Sequence, residues 1–219
     1  MNHFELYIFD LDGTLVNSLE DLTDAVNMVL DKLGLPHHSQ TKTASYLGKG
    51  ARWLLTSAIQ DANGDPDILL PIARQYFLDI YKKNITEKSY YYDGVIESLE
   101  QLSQQDIALA ICTNKPIDLA EKMLEKLGHR ELFKLMLGGD SLATKKPDPA
   151  PLQYIMDKLS ISPKKTLMIG DSSYDINAGK AAHCKTCAVT YGYHSTDILL
   201  SLNPDFVLDH FQEIHTKIK

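Results

Sequence analysis

Short apolar runs, each followed by Asp, Thr or Gly, alternate along the chain with segments of helical periodicity. Such runs are typical of the buried strands of a parallel sheet that is covered by helices on both faces. The pattern predicts six strands, at residues 7–9, 107–112, 135–137, 166–169, 187–189 and 206–208. The predicted fold class is therefore α/β, with a Rossmann-like parallel sheet as its core.

The alternation of strand and helix patterns stops over residues 16–88. Apolar positions there follow helical spacing, and no strand pattern occurs for about seventy residues. The first helix of this stretch has an apolar stripe made of Leu19, Leu22, Val26, Leu30 and Leu33. Ser18 and Asp21 predict a capping box at its start. We therefore expect two domains: an α/β core formed by residues 1–15 and 89–219, and an inserted helical domain formed by residues 16–88.

The excess of acidic over basic residues bears on which ligands and partners the protein can bind. The chain has 219 residues, with 22 Lys and Arg against 29 Asp and Glu, a formal net charge of -7. This balance argues against nonspecific binding to nucleic acid or anionic lipid. No apolar run approaches the roughly 18 residues of a membrane span, and Glu5 and Asp10 interrupt the N-terminus as a signal peptide. We expect a cytoplasmic protein with no nucleic-acid or membrane partner.

Cysteine usage agrees with that compartment, since three cysteines are too few for a disulfide framework. Cys184 and Cys187 have CxxC spacing, but a structural zinc site needs a second pair and a thioredoxin-like motif opens a helix. We favour two buried thiols. A metal site that includes His183 is the alternative.

A pair of carboxylates follows the first predicted strand, in the segment Asp10-Leu-Asp-Gly-Thr. Side chains two apart on extended backbone point the same way, so Asp10 and Asp12 project together from the carboxyl end of the strand. Two carboxylates this close repel each other unless a cation lies between them. The pair therefore predicts a metal site, although two Asp residues that cap a turn remain the simpler alternative for this segment alone.

Three further loops follow later strands. Thr113 and Asn114 offer a hydroxyl and an amide before a helix, Lys146 lies in a proline-rich turn, and Asp171 and Asp175 follow the strand at 166–169. Each loop alone has an ordinary structural explanation, such as a helix cap or a solvated turn. Because the carboxyl ends of parallel strands meet at one edge of the sheet, we expect these groups to line one crevice.

Taken in order and spacing, these four loops resemble the four motifs of the haloacid dehalogenase (HAD) superfamily. The resemblance runs from Asp10 to Tyr193, and the helical insertion lies where that superfamily has its C1 cap. Gly138-Gly139-Asp140 and the late Thr190-Tyr-Gly-Tyr193 are most similar to the phosphoglycolate phosphatase branch. The resemblance implies the HAD fold: a Rossmann-like core with an inserted helical cap.

The resemblance also implies roles for the paired carboxylates. Asp10 is the expected nucleophile, which takes the phosphoryl group as an aspartyl phosphate. Asp12 is the expected general acid and base, and its presence favours phosphoryl chemistry over dehalogenation. Mg2+ is the expected cofactor, held by Asp10, the backbone carbonyl of Asp12 and Asp171. Asp175 either binds the metal through water or supports it.

The remaining motif residues are expected to handle the phosphoryl group. Thr113 and Asn114 hold its oxygens, and Lys146 neutralises charge between it and the nucleophile. Of the two adjacent lysines, Lys146 matches the family because it directly precedes Pro.

Substrate recognition is expected in the cap. Lys49 and Arg52 lie in a glycine-rich loop and are candidates to meet a substrate carboxylate. A helix-connecting loop with exposed charges is the equally weighted alternative.

These features predict an Mg2+-dependent phosphatase, a monomer or homodimer, that acts on a small phosphorylated metabolite, 2-phosphoglycolate first. Alternatives within the superfamily are a mutase resembling β-phosphoglucomutase, a pyrophosphatase or a nucleotide phosphatase. A non-enzymatic binding protein on this scaffold is disfavoured, because Asp10, Asp12 and Lys146 are all present.

Overall fold

The computed structural model describes residues 4–218, and its centre is a six-stranded sheet in the order β5-β4-β1-β6-β7-β8. Every neighbouring pair in this sheet is parallel. The strands are β1 (Leu6–Phe9), β4 (Ala108–Cys112), β5 (Leu135–Leu137), β6 (Thr166–Gly170), β7 (Lys185–Val189) and β8 (Phe206–Leu208). All six predicted strands are confirmed, with bounds that move by at most two residues, and so is the parallel α/β fold class.

Strand β1 lies in the middle of the sheet because its four residues are apolar and buried on both faces. Leu6 is in register with Ala108 of β4 and with Thr166 of β6. At the other end of β1, Phe9 is in register with Ile111 and Ile169. The carboxyl ends of the three strands are therefore level, and the loops that follow them meet at one edge.

Helices cover both faces of the sheet. Side chains alternate along β1, so that Phe9 packs in one apolar cluster and Ile8 in another on the opposite face. The helices of the core are α5 (Val95–Ser103), α6 (Ile117–Leu127), α7 (Ala150–Leu159), α8 (Ser173–Ala181), α9 (Thr196–Ser201) and α10 (Ile214–Lys217).

Four helices lie between the first strand and the rest of the sheet, in the stretch predicted to be helical. They are α1 (Leu19–Lys32), α2 (Gln40–Ala44), α3 (Ala51–Asp61) and α4 (Pro66–Asn84). Helix α4 packs against both α1 and α3. A two-stranded antiparallel sheet, β2 (Val16–Asn17) with β3 (Tyr90–Tyr91), joins the two ends of the insertion. The sequence analysis missed this pair because two residues are too few to show a strand period.

The capping box predicted at Ser18 is wrong. Ser18 precedes α1, but its side chain makes no capping hydrogen bond. Its hydroxyl donates instead to Asp12, while the Asp21 carboxylate accepts hydrogen bonds from the backbone N–H groups of Lys88 and Ser89. Both side chains of the supposed box serve contacts with distant parts of the chain, which a local motif cannot reveal.

The CxxC pair is not part of the group of three or more potential metal ligands found within residues 4–218, which is Asp10, Asp171 and Asp175. Cys184 and Cys187 are buried free thiols, as favoured from the sequence, and burial raises the pKa of Cys184 to about 12. His183 ends helix α8 with a left-handed backbone, at φ 60°. Over residues 4–218, no helix combines the length and the apolar character needed to cross a membrane.

Candidate active site

Asp10 leaves the carboxyl end of β1 at the bottom of the crevice, where it is 6% exposed. Its Oδ1 accepts a hydrogen bond of 2.7 Å from the backbone N–H of Leu11. The chain then turns sharply at Gly13, whose φ is +86°. A Cβ at Gly13 would lie 2.3 Å from Oδ2 of Asp171, so only glycine lets the two loops approach this closely.

Three buried carboxylates meet at this point. One ligand oxygen from each of Asp10, Asp171 and Asp175 lies within 4.8 Å of the other two. Asp10 comes from the loop after β1, Asp171 from the loop between β6 and α8, and Asp175 from the first turn of α8. Carboxylate oxygens at this separation form a donor set that suits a hard divalent cation.

Lys146 provides the ammonium group within the cluster. Its Nζ lies 3.1 Å from Asp10 and 2.5 Å from Asp175, and its side chain is 1% exposed. Burial alone would lower the pKa of Lys146, but the two carboxylates reverse that effect and raise it. Lys145, in contrast, donates to the backbone carbonyl of Lys49 at 2.7 Å, so Lys146 rather than Lys145 reaches the crevice floor.

Three carboxylates against one ammonium leave the cluster with excess negative charge. The pKa of Asp10 is raised from 3.8 to about 6, because the effects of burial and of the Asp175 charge outweigh the opposing effects of Lys146, the Leu11 N–H group and the Thr113 hydroxyl. The Asp10 carboxylate is therefore held in an environment that penalises its charge. A bound cation would relieve this penalty.

Asp175 serves the local structure with both of its oxygens. Oδ1 faces Lys146, and Oδ2 accepts hydrogen bonds from the backbone N–H of Ser172 at 3.0 Å and from its hydroxyl at 2.5 Å. Ser172 and Asp175 thereby form the capping box that starts helix α8. The observed hydrogen bonds suit a supporting role for Asp175, and direct metal binding by Asp175 stays a prediction.

Asp171 is held by the late loop that follows β7. Its Oδ2 accepts a 2.8 Å hydrogen bond from the backbone N–H of Tyr193, and Nδ1 of His194 lies 3.6 Å away. The Tyr193 hydroxyl accepts a 2.7 Å hydrogen bond from the backbone N–H of Ser18. The sequence marks Ser18 only as a candidate helix cap and does not mark His194, because neither lies in one of the four motif loops.

Asp12 is not part of the carboxylate cluster and contacts a second ammonium group. Its Oδ1 accepts a 2.5 Å hydrogen bond from the Ser18 hydroxyl, and its two oxygens lie 2.9 Å and 3.0 Å from Nζ of Lys115. The Lys115 ammonium also donates to the Tyr81 hydroxyl at 2.8 Å. The sequence analysis missed Lys115, although it directly follows the Thr113-Asn114 pair.

Thr113 and Asn114 both line the crevice, but Thr113 interacts with Asp10 whereas Asn114 interacts with backbone carbonyls. Thr113 is 4% exposed, and its hydroxyl contributes to the environment of Asp10. The side-chain amide of Asn114 donates to the backbone carbonyls of Gly48 at 2.8 Å and Lys146 at 2.9 Å. Asn114 thus ties the loop before α3 to the lysine loop, and a contact between this amide and a phosphate stays a prediction.

Two cavities open beside these residues. A cavity of about 50 Å³ lies over Asp10 and Asp12 and is bounded by Lys115, Tyr81 and Tyr46. Lys49 and Arg52 line a wider neighbouring cavity of about 500 Å³, together with Trp53, Lys145, Lys146 and Tyr174. The Lys49 ammonium lies 3.8 Å above the Trp53 ring. The two predicted clamp residues therefore line the wider cavity and not the inner cavity over Asp10 and Asp12.

The family model for haloacid dehalogenase-like hydrolases matches residues 7–189. A protein of Psychrobacter arcticus named phosphoglycolate phosphatase is 39% identical over 215 residues, which are 96% of this chain and 94% of that protein. A phosphoglycolate phosphatase of Haemophilus influenzae is 38% identical over 216 residues, 96% of each chain.

The fold is also similar to a solved structure. A crystal structure described as a predicted phosphoglycolate phosphatase, from Haemophilus somnus, has a TM-score of 0.92 and 37% identity, and the match covers 97% of both chains. The match includes the helical insertion as well as the sheet, because so little of either chain lies outside it.

Proposed function

The chain belongs to the haloacid dehalogenase-like hydrolase family, and from this premise we propose that it hydrolyses 2-phosphoglycolate to glycolate and phosphate. The observation that carries the proposal is the buried Asp10, which lies at the carboxyl end of β1 with Lys146 3.1 Å away. The relatives that share this architecture over nearly their whole length are named for that activity.

We assign the bond-making step to Asp10. One of its oxygens attacks phosphorus, the bond between phosphorus and the ester oxygen breaks, and Asp12 gives a proton to the departing glycolate oxygen. Asp12 is protonated at the start of this step and a carboxylate at its end. Water then attacks the aspartyl phosphate while Asp12 takes a proton from that water, which releases phosphate, returns Asp10 to its carboxylate form and leaves Asp12 protonated for the next cycle. Asp12 is suited to both half-reactions because it lies two residues from the nucleophile, outside the carboxylate cluster.

Lys146 and Thr113 are the groups that face the charge of the phosphoryl group. Lys146 is locked between Asp10 and Asp175, so its ammonium needs no rearrangement when substrate arrives. Preorganised charge of this kind accounts for much of the rate enhancement in phosphoryl transfer. Thr113 adds a hydroxyl at the end of β4.

The residues at the cluster fit Mg2+. Asp10, the backbone carbonyl of Asp12 and Asp171 would hold it, and Asp175 would support them through Lys146 and Ser172. The raised pKa of Asp10 is consistent with a site built for a cation that offsets its charge. When bound, Mg2+ supplies positive charge that orients the phosphate and screens it from the carboxylates.

The size of the inner cavity favours a small organic group. The cavity of about 50 Å³ next to Asp12 is narrow and is lined by the apolar side chains of Leu22, Leu54 and Phe77. We propose that residues 16–88 act as a cap that closes this space, and that Lys49 and Arg52 attract the substrate to its entrance.

A phosphate-release screen tests the proposal. We expect 2-phosphoglycolate to be hydrolysed with a higher kcat/KM than sugar phosphates, pyrophosphate or nucleotides, and activity to be lost in EDTA and restored by Mg2+. Activity that survives metal removal would contradict the proposed site. Interconversion of sugar phosphates with little phosphate release would indicate a mutase instead.

Asp10→Asn is the decisive variant. Because the amide is not a nucleophile, turnover of every phosphate ester should fall by at least about 1,000-fold while the circular dichroism spectrum is unchanged. Asp118→Asn is the matched control, since Asp118 is an exposed carboxylate on helix α6. Normal turnover by Asp10→Asn would refute the mechanism.

A further inference from the structure

Lys115 is a buried lysine for which the proposed phosphoryl chemistry has no use. It is 6% exposed, and its ammonium lies between Asp12, on the sheet edge, and Tyr81, on helix α4. A buried ammonium is costly unless its donors are satisfied. Here two Asp12 oxygens at 2.9 Å and 3.0 Å and the Tyr81 hydroxyl at 2.8 Å satisfy them.

Tyr81 is itself rigidly placed. Its side chain is completely buried, and its ring stacks on Phe77 with 5.3 Å between centroids. The Lys115 ammonium lies 4.6 Å from the centroid of the same ring. Tyr81 thus contacts the ammonium through both its hydroxyl and its ring, which fixes the end of a long side chain that would otherwise be mobile.

These contacts determine where the Asp12 carboxylate points. The Ser18 hydroxyl donates to one of its oxygens, and the Lys115 ammonium contacts both. Ser18 and Tyr81 belong to the helical insertion, whereas Lys115 belongs to the sheet edge. The orientation of Asp12 therefore depends on the insertion being packed against the sheet.

We propose that Lys115 is a positioning residue for Asp12, and that Tyr81 is the contact through which the helical insertion sets this position. The proposal rests on the role assigned to Asp12 under the proposed function. With Lys115 and Tyr81 in place, the Asp12 carboxylate is held at the wall of the inner cavity, where we expect the ester oxygen of the substrate. Without them, Asp12 loses its partner and proton transfer to the leaving group slows.

One rival explanation uses the same residue. Lys115 also lines the cavity of about 50 Å³, so its ammonium could bind the carboxylate of 2-phosphoglycolate directly. The two roles differ in which substrates they affect. A positioning role concerns every poor leaving group, whereas carboxylate binding concerns only substrates that carry a carboxylate.

The test compares three substrates in Lys115→Met and Tyr81→Phe: 2-phosphoglycolate, ethyl phosphate and p-nitrophenyl phosphate. Ethyl phosphate has an alkoxide leaving group and no carboxylate, and p-nitrophenolate leaves without protonation. We expect kcat/KM of Lys115→Met to fall about 100-fold for both alkyl substrates, since misplacing a catalytic group by about 1 Å has effects of that size. The aryl substrate should lose less than about threefold in kcat/KM, because Asp12 is not needed for that step.

Tyr81→Phe should show the same pattern at about fivefold, because one hydrogen bond to the ammonium is lost. The matched controls are Lys122→Met on helix α6 and Tyr76→Phe on helix α4, neither of which lines the inner cavity. If Lys115→Met does not fold, Tyr81→Phe carries the test.

Each result separates the alternatives. A loss confined to 2-phosphoglycolate would overturn the positioning role in favour of carboxylate binding, and an equal loss on all three substrates would indicate a structural role only. A crystal structure of Lys115→Met gives a readout that needs no activity, and an unchanged Asp12 side chain would also overturn the proposal. Failure of the proposed function is distinct, because the wild-type protein would then release no phosphate from 2-phosphoglycolate.

Discussion

The ionised form of Asp10 destabilises the folded protein, although the proposed reaction requires it. The carboxylate is buried beside Asp171 and Asp175, and Lys146 is the ammonium within this cluster. The proposed nucleophile must be ionised to react, yet burial in this environment penalises its charge and raises its pKa to about 6. Such conflicts between local stability and function are common in active sites. The penalty should be measurable in the metal-free protein.

Asp10→Asn should therefore stabilise the protein in EDTA. A carboxyl group whose folded pKa is raised binds its proton more tightly in the folded state, so stability falls as the pH rises from about 4 through 6. Removing the charge should raise the free energy of unfolding by about 1–3 kcal/mol at pH 8 and by almost nothing at pH 4. Urea denaturation at the two pH values measures the difference, with Asp118→Asn as control. A less stable Asp10→Asn protein at pH 8 would show that the cluster stabilises the ionised Asp10.

Helix α1 is joined to the end of the insertion by one buried carboxylate. Asp21, in the first turn of α1, is 2% exposed. It accepts hydrogen bonds from the backbone N–H groups of Lys88 and Ser89 and from the Ser89 hydroxyl. The start and the end of the insertion are thereby held together next to the β2–β3 pair. The two connections between the insertion and the sheet, before α1 and after residue 88, lie beside this contact.

Asp21→Ala should destabilise the fold by about 2–4 kcal/mol, because it leaves two backbone N–H groups without their acceptor. Asp24→Ala is the matched control, since Asp24 also contacts Lys88 but through an exposed ion pair of 2.9 Å. That pair should contribute less than about 1 kcal/mol. Urea or thermal unfolding of the two variants tests the contrast. Equal losses in the free energy of unfolding would show that the buried Asp21 contact stabilises the fold no more than the exposed Asp24 ion pair.

Charge is distributed unevenly over the whole molecule. The formal net charge is -7, yet Lys49, Arg52, Lys145 and Lys146 line the same cavity of about 500 Å³. A cationic entrance on an acidic protein concentrates anionic ligands at that entrance. The overall charge disfavours nonspecific binding of polyanions, while the local charge favours a small phosphate ester.

The kcat/KM for 2-phosphoglycolate should fall about threefold or more when ionic strength rises from about 10 to about 200 mM, because salt screens this attraction. In the double variant Lys49→Met with Arg52→Met the salt dependence should be much flatter. Lys164→Met, a change near the amino end of β6, should leave it unchanged. Steady-state kinetics at several salt concentrations measure the dependence of kcat/KM on ionic strength. If this dependence is the same in the double variant as in the wild type, Lys49 and Arg52 do not attract the substrate.

The order of the strands along the chain and the identity of the main candidate residues could be predicted from the sequence. Apolar runs of three to six residues define the strands, and Asp10, Asp171 and Lys146 follow from loops placed at strand ends. These signals are local, since residue type and a period of two or 3.6 residues are visible within a short window. The parallel topology then requires the loops to share one edge of the sheet.

The tertiary structure alone decided how the site residues are held. Lys115 contacts Asp12 across 103 residues of chain, and the Tyr193 hydroxyl contacts Ser18 across 175. The same applies to the insertion, where Lys49 and Arg52 lie beside Lys146 while Lys115 faces Asp12. Contacts of this kind depend on how helices pack on the sheet, and no periodicity of residue type encodes the final distance between two side chains.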